Sequence, residues 1–222
     1  MTAEFARHAE THVRYGARLD EEFPEFQLLV RDGEEVVAHA RTLPLRWDGT
    51  LDDLPRGIDG TFERAFAERE GNVLCAVQVT VVPERRGEGW SRRALGAMLD
   101  LARRRSLETL IAPVMPTAKH RYPITPIERY AQWRRDDGLL FDPWLRTHER
   151  LGAEVLKPEP QSVRITGSVA GWERWVGLQF PETGNYVIPR GLAPLAIDHE
   201  RDVGVYYEPN VWMRHAVRRS SP

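Results

Sequence analysis

The sequence predicts an α/β protein, and three stretches carry that prediction. Val73 to Val82 (VLCAVQVTVV) is apolar and β-branched at odd and even positions alike, as expected of a central strand covered on both faces. It runs into a polar glycine loop and then into residues 91–105 (SRRALGAMLDLARRR), where Leu95, Met98, Leu99 and Ala102 recur at helical spacing. Thr109 to Val114 (TLIAPV) reads as a second buried strand. Right-handed crossovers dominate such strand–helix–strand units, so the two strands are expected to be parallel neighbours.

The other elements follow from the N-terminus. Phe5, His8, His12 and Tyr15 are spaced at three or four, which predicts an amphipathic helix over the first 20 residues, broken before Pro24. Phe26–Val30 and Val36–Leu45 flank the turn Asp32-Gly33 and read as a β-hairpin. A turn-rich connector opens at Trp47, and a helix is expected over Ile58–Glu70 with Phe62, Ala65 and Phe66 on one face. Residues 115–142 carry Pro116, Pro123, Pro126 and Gly138 and read as a long loop, of the kind that is usually functional when it is not disordered. Its His, Tyr and Trp content argues against disorder. Pro143–Leu151 is a short helix with Asp142 as N-cap, Pro143 in the first turn and Gly152 as the stop. Strands are expected near Glu154–Leu156 and Ser162–Ile165, a helix over Val169–Leu178, then short strands to Met213 and a frayed basic tail over 214–222.

Composition narrows the function. The chain has 222 residues, 41% of them hydrophobic, enough for one sizeable core. The net charge of −2 gives no reason to expect a nucleic-acid partner. A single cysteine, Cys75, excludes an intramolecular disulfide and a multi-cysteine zinc site, and its place inside a strand marks it as an inert core thiol. No secretory h-region and no apolar run long enough for a membrane span is visible, so the expected location is the cytoplasm, with no membrane partner. His8 and His12 form an i, i+4 pair without a third ligand nearby, so packing is preferred and no metal site is expected.

The chemistry concentrates at Arg86-Gly87-Glu88-Gly89-Trp90-Ser91, between strand and helix. Glycines let the backbone approach an anion, and the free N–H groups at a helix start supply donors and the positive end of its dipole. It is not a P-loop, since no Gly-Lys-Ser/Thr follows. Nor is it a dinucleotide fingerprint, since Arg92 stands where the third glycine belongs.

The stretch Val81-Val82-Pro83-Glu84-Arg85-Arg86-Gly87-Glu88-Gly89-Trp90-Ser91 resembles the pyrophosphate loop of the GNAT superfamily, the acyl-CoA-dependent N-acyltransferases, whose pattern is Gln/Arg-x-x-Gly-x-Gly/Ala after a strand ending in Val-x-Pro. Ser91 departs from it at the last small residue. His148-Glu149-Arg150-Leu151-Gly152-Ala153 is similar to the family's short Tyr-Glu-Lys-Leu-Gly-Phe-like helix end. The segments PITPIERY (123–130) and EPNVWMRH (208–215) are similar to a bacterial subgroup of the family. The resemblance covers about 26–158. It implies a central mixed, splayed β-sheet flanked by helices, with 159–213 as a decorated C-terminal region of one domain.

The resemblance also implies roles. The backbone of Val79, Thr80 and Val81 would pair with pantetheine. The N–H groups from Gly87 through Glu88, Gly89, Trp90 and Ser91 to Arg92 would cradle the pyrophosphate of acetyl-CoA or another acyl-CoA, and Arg86 would add charge. His148 stands where the family often has a Tyr that protonates the departing thiolate, and an imidazole suits that role. Gln78 occupies the central strand where a carboxylate base would be sought, which leaves Glu128, His120 or a water chain for the base. Lys119-His120-Arg121 has an alternative use at the CoA 3′-phosphate. Tyr122, Tyr130 and Trp133, and further along Trp172, Trp175, Tyr206, Tyr207 and Trp212, are read first as core; an acceptor pocket or a homodimer contact is the alternative. The expected activity is transfer of an acetyl or other short acyl group to a small-molecule primary amine by direct attack. The rivals are a non-catalytic acyl-CoA sensor, O-acylation, an acyl carrier protein substrate, and decarboxylation.

Overall fold

The computed structural model describes residues 4–217. The expected N-terminal helix is two short ones, α1 (Glu10–Tyr15) and α2 (Arg18–Glu22), interrupted at Gly16, a weak helix former. The apolar spacing still works, because Phe5, Tyr15 and Leu19 are all buried. A hairpin of β1 (Gln27–Asp32) and β2 (Glu35–Leu45) follows, then α3 (Gly57–Glu68), β3 (Val73–Val81), α4 (Trp90–Arg104) and β4 (Thr109–Val114). After the long loop, which contains α5 (Ile127–Tyr130), come α6 (Pro143–Arg150), β5 (Ala153–Gly167), α7 (Val169–Val176), β6 (Gly184–Tyr186), β7 (Leu195–Asp198) and β8 (Val203–Ala216).

The strands form one mixed eight-stranded sheet in the order β1-β2-β3-β4-β8-β7-β6, with β5 also paired to β8. Helices cover both faces. On one side α4, α5 and α6 pack over Leu74, Ala76, Leu110, Ala112 and Met213. On the other, the N-terminal segment, α3 and α7 pack over Cys75, Ile111 and Trp212.

Three expectations need correction. Residues 214–216 are not a frayed tail: they end β8, with Arg214 paired to Glu154 and His215 buried. Residues 218–222 of that expected tail lie outside the described residues. The C-terminal region supplies a central strand, since β8 sits between β4 and β7. The two strands expected near 154 and 162 are one, β5, whose register slips between Glu159 and Val163. Pro160 lies in that slip, where a residue without an N–H breaks the ladder and the sequence pattern with it. Finally, β3 is fully covered only over Val73–Ala76; from Val77 to Val81 half-buried and exposed residues alternate. The reason is the geometry of its neighbour.

Candidate active site

β3 and β4 are parallel and pair only at Leu74↔Leu110 and Cys75↔Ile111. On its other edge β3 stays paired with β2 as far as Val81, through a bulge at Val77. The sheet therefore splits above Cys75, and the β4-facing edge of β3 from Ala76 to Val81 is free. The far side of the gap is formed by β8. One edge of β8 is occupied by β5 along nearly its whole length. The other is shared by β4, at 211–216, and β7, at 203–205. Between them, residues 206–210 face the gap without a strand partner.

The free edge of β3 leads into the glycine loop. Gly87 and Gly89 have φ of +87° and +83°, which a side chain would strain. The left-handed turn leaves the N–H groups of residues 87–91 without a partner among the described residues. The N–H of Arg92 is different, since it donates to Gly89 O at 3.1 Å. Arg92 therefore offers an anion its exposed guanidinium rather than its backbone. Glu88 contributes only its backbone, because its carboxylate accepts from Arg85 Nε at 2.9 Å and Trp90 Nε1 at 3.0 Å. Arg85 also reaches Asp32 and Glu35, each at 2.6 Å, and so ties the loop to the β1–β2 hairpin. Trp90 is buried as a peg under Arg93, whose guanidinium lies 4.2 Å from the ring centroid. Arg86 and Ser91 complete the loop, with Arg86 exposed and unpaired among the described residues.

The long loop that leaves the open end of β4 is held by two buried charges. Asp142 accepts from the N–H groups of Thr117, Ala118, Trp144 and Leu145 and from the Tyr130 hydroxyl, so it caps α6 and closes the loop together. Lys119, 1% exposed, donates to Tyr122 O at 2.8 Å and Leu192 O at 2.7 Å, and burial lowers its ammonium to about 8. Its charge is spent inside, which removes it from the expected contact with a 3′-phosphate. Tyr122, Trp133 and Phe141 pack with Tyr130, mostly edge to face, at the margin of the core on the α4 side. His120 is exposed with Nδ1 2.9 Å from Thr117 O, and Glu128 is exposed on α5.

His148 is elsewhere. It is 2% exposed, with Nδ1 3.0 Å from Nε2 of His215, and Trp144 packs edge-on against its ring. His215 pairs with Leu110, at the closed end of the split. Burial pushes His148 down to about 3 and His215 to about 4, so both rings are neutral at neutral pH. The structure does not bring His148, His120 and Glu128 together. Cys75 is fully buried and its thiol is raised to about 12. His8 stacks on Trp175, and His12 packs against Phe62. Among the described residues no group of three His, Cys, Asp or Glu is arranged to hold a metal ion, and no helix is long and apolar enough to cross a membrane.

Two residues in the gap were not singled out from the sequence. Glu208 pairs with Val163 of β5 but has no partner on the edge toward β3, and no group among the described residues donates to its carboxylate. Burial and the nearby Asp59 raise that carboxyl to about 7. Asn210, 2% exposed, donates to Pro113 O at 2.8 Å, while its Oδ1 has no partner. The signal available was a glutamate set inside the apolar run VYYEPNVWM.

An arginine N-acetyltransferase, avaD of Aspergillus versicolor, is 31% identical over 229 residues, covering 88% of this chain and 77% of that protein. The chain belongs to the GNAT superfamily. No protein-family model matches it. Among solved structures, this GNAT protein superposes on the loading GNATL domain of CurA from Lyngbya majuscula with a TM-score of 0.61 at 18% identity, over 92% of this chain and 82% of that one. It superposes on the GNAT-like decarboxylase GphF, solved with isobutyryl-CoA, with a TM-score of 0.57 at 17% identity, over 90% and 83%. These likenesses establish the fold, and the split sheet between β3 and β4 is the GNAT feature expected from the glycine loop.

Proposed function

We propose that this GNAT protein transfers an acetyl or other short acyl group from acyl-CoA to a primary amine of a small molecule, by direct attack in a ternary complex. One observation carries the reading: the free edge of β3 leads, through a single turn at Pro83–Arg85, to five unpartnered backbone N–H groups. A pantetheine arm has amides to pair with Val79, Thr80 and Val81 as an added strand would. Its pyrophosphate fits the N–H groups of residues 87–91, flanked by the exposed Arg86 and Arg92 at the start of α4.

The thioester carbonyl then lies against the free edge near Val79, where a backbone N–H polarises it. Attack by the amine forms the C–N bond, and the C–S bond breaks to release CoA thiolate. His148 is buried against His215 at the closed end of the split, five β8 residues from the rung of Val79, so the thiolate takes its proton from the attacking nitrogen and not from this pair. Glu128 and His120, on the loop beyond β4, serve at most at the mouth of the site. The similarity to an arginine N-acetyltransferase supports a small cationic amine as acceptor. Calorimetric titration with acetyl-CoA tests the reading: the parent should bind in the micromolar range and Gly89→Glu, which sets a carboxylate in the cradle, should not. No binding by the parent overturns it.

A further inference from the structure

We propose that Glu208 is the general base of the reaction, taking the proton from an ammonium on the acceptor, so that the nitrogen acylated is a primary amine and not a guanidinium. This rests on the N-acyltransfer reading above.

Residues 206–210 are the part of β8 that neither β4 nor β7 covers, and they face the free edge of β3 across the gap. Arg214 is the β8 partner of Ile111, which pairs with Cys75. Counting from that rung, Asn210 is level with Val79, and Glu208 is two residues, or about 7 Å, further toward the open end. Period-two alternation places Glu208 and Asn210 on the same face as Tyr206 and Trp212, the face covered by the N-terminal segment and α3. The glycine-loop helix α4 covers the opposite face. The acyl donor and the acceptor base thus flank one opening from two sides.

A second observation points to a ligand with donors. The Asn210 side chain is fixed by its bond to Pro113 O, yet its buried Oδ1 has no donor. Buried acceptors of this kind are normally satisfied. An ammonium in the gap supplies N–H groups both to Asn210 Oδ1 and to the Glu208 carboxylate.

The surroundings suit a base. Asp59 faces Glu208 from α3, with its own oxygens tied to the Thr11 hydroxyl and the Arg164 N–H. Tyr206 interacts with it from the same strand, and its β5 partner, Val163, is apolar. Among the described residues no cation is paired with it. A carboxyl near 7 is matched to an ammonium, whose ordinary value for an α-amine is about 8, and not to a guanidinium above 12. The ammonium N–H breaks, its proton goes to Glu208 and then to solvent, and the freed lone pair forms the C–N bond. As the C–S bond breaks, a second nitrogen proton passes to the thiolate, and one proton is released per turnover.

The test measures initial rates with acetyl-CoA and L-arginine, agmatine or putrescine from pH 5.5 to 9, for the wild type, Glu208→Gln and Glu208→Asp. Acetyl-CoA calorimetry and Tm accompany each. Wild-type kcat/KM should rise as pH passes about 7. Glu208→Gln should lose about 100-fold or more in rate and lose that rise, while binding acetyl-CoA as tightly as the wild type. Acetyl-arginine should carry its label on the α-nitrogen by mass spectrometry. Wild-type rate and pH profile in Glu208→Gln, or acetyl on the guanidino group, overturns the proposal and leaves N-acyltransfer standing. A wild type that binds acetyl-CoA but acylates none of the three amines also overturns it. If Glu208→Gln does not fold, Glu208→Asp decides, since an unchanged rate with the shorter carboxylate also overturns it. A wild type that fails to bind acetyl-CoA removes the parent reading, and this one with it.

Discussion

His148 and His215 meet through one ring-to-ring hydrogen bond between α6 and β8, both almost fully enclosed. Each is held below the ordinary histidine value of 6.5, because burial disfavours the imidazolium; a charge on His215 would lower His148 further, while a hydrogen bond with the Leu151 backbone partly offsets the effect at His215. Below pH 6.5 the unfolded chain therefore takes up protons that the folded chain refuses. The pair's contribution to stability is complete above pH 6.5 and is lost as pH falls toward 4 to 3. The loss should be on the order of several kcal/mol, visible as a lower urea midpoint at pH 5 than at pH 7.5. Replacing both residues with leucine should flatten that dependence; an equally steep profile would remove the pair as its cause. His148 was legible from the motif around Gly152, but its pairing with His215, the last residue of the EPNVWMRH segment, was not, since the two are 67 positions apart. Lys119 shows the opposite error. As one of two lysines beside His120 and Arg121 it reads as a phosphate contact, yet only the fold reveals that two backbone carbonyls have claimed its ammonium.

Local elements are where sequence reasoning succeeds. The β3–α4–β4 unit and its glycine loop depend on residues within about one turn or one strand of each other, so pattern and spacing suffice. The α7–β8 junction does not. Trp172 donates from Nε1 to Gly204 O at 2.9 Å, across 32 positions, and a β-carbon at Gly204 would fall 2.3 Å from the Trp172 ring. Gly167, at the end of β5, makes the same concession to Trp175. Gly204→Ala should therefore destabilise the protein by about 1 to 3 kcal/mol, whereas Gly184→Ala, with only a 3.9 Å contact, should cost much less. Denaturant midpoints of the two variants would check this, and equal values would show that the Trp172 packing relaxes freely.

At the scale of the molecule, the candidate site is an interruption of the sheet assembled from distant segments. β3 and the glycine loop supply one side, the 206–210 stretch of β8 the other, and Asp59 of α3 closes it from above. A ligand that bridges β3 and α4 and binds only the folded form should stabilise the whole. Acetyl-CoA at 100 times its Kd should add about 2.7 kcal/mol and raise Tm, and Gly89→Glu should show no shift. A rise of the same size in the variant would place acetyl-CoA somewhere other than the glycine loop.

The sequence by itself determined the α/β class, the anion-binding loop, the helix that follows it and the family, because each is written in short-range periodicity, glycine placement and a contiguous motif. Only the tertiary structure decided that β8 is central, that the expected splay begins just above Cys75, and that Glu208 and Asn210 stand in the opening with unanswered polar atoms. Those facts arise from pairings between strands about 100 residues apart, such as Pro113 with Trp212, where register and burial are set by the rest of the chain.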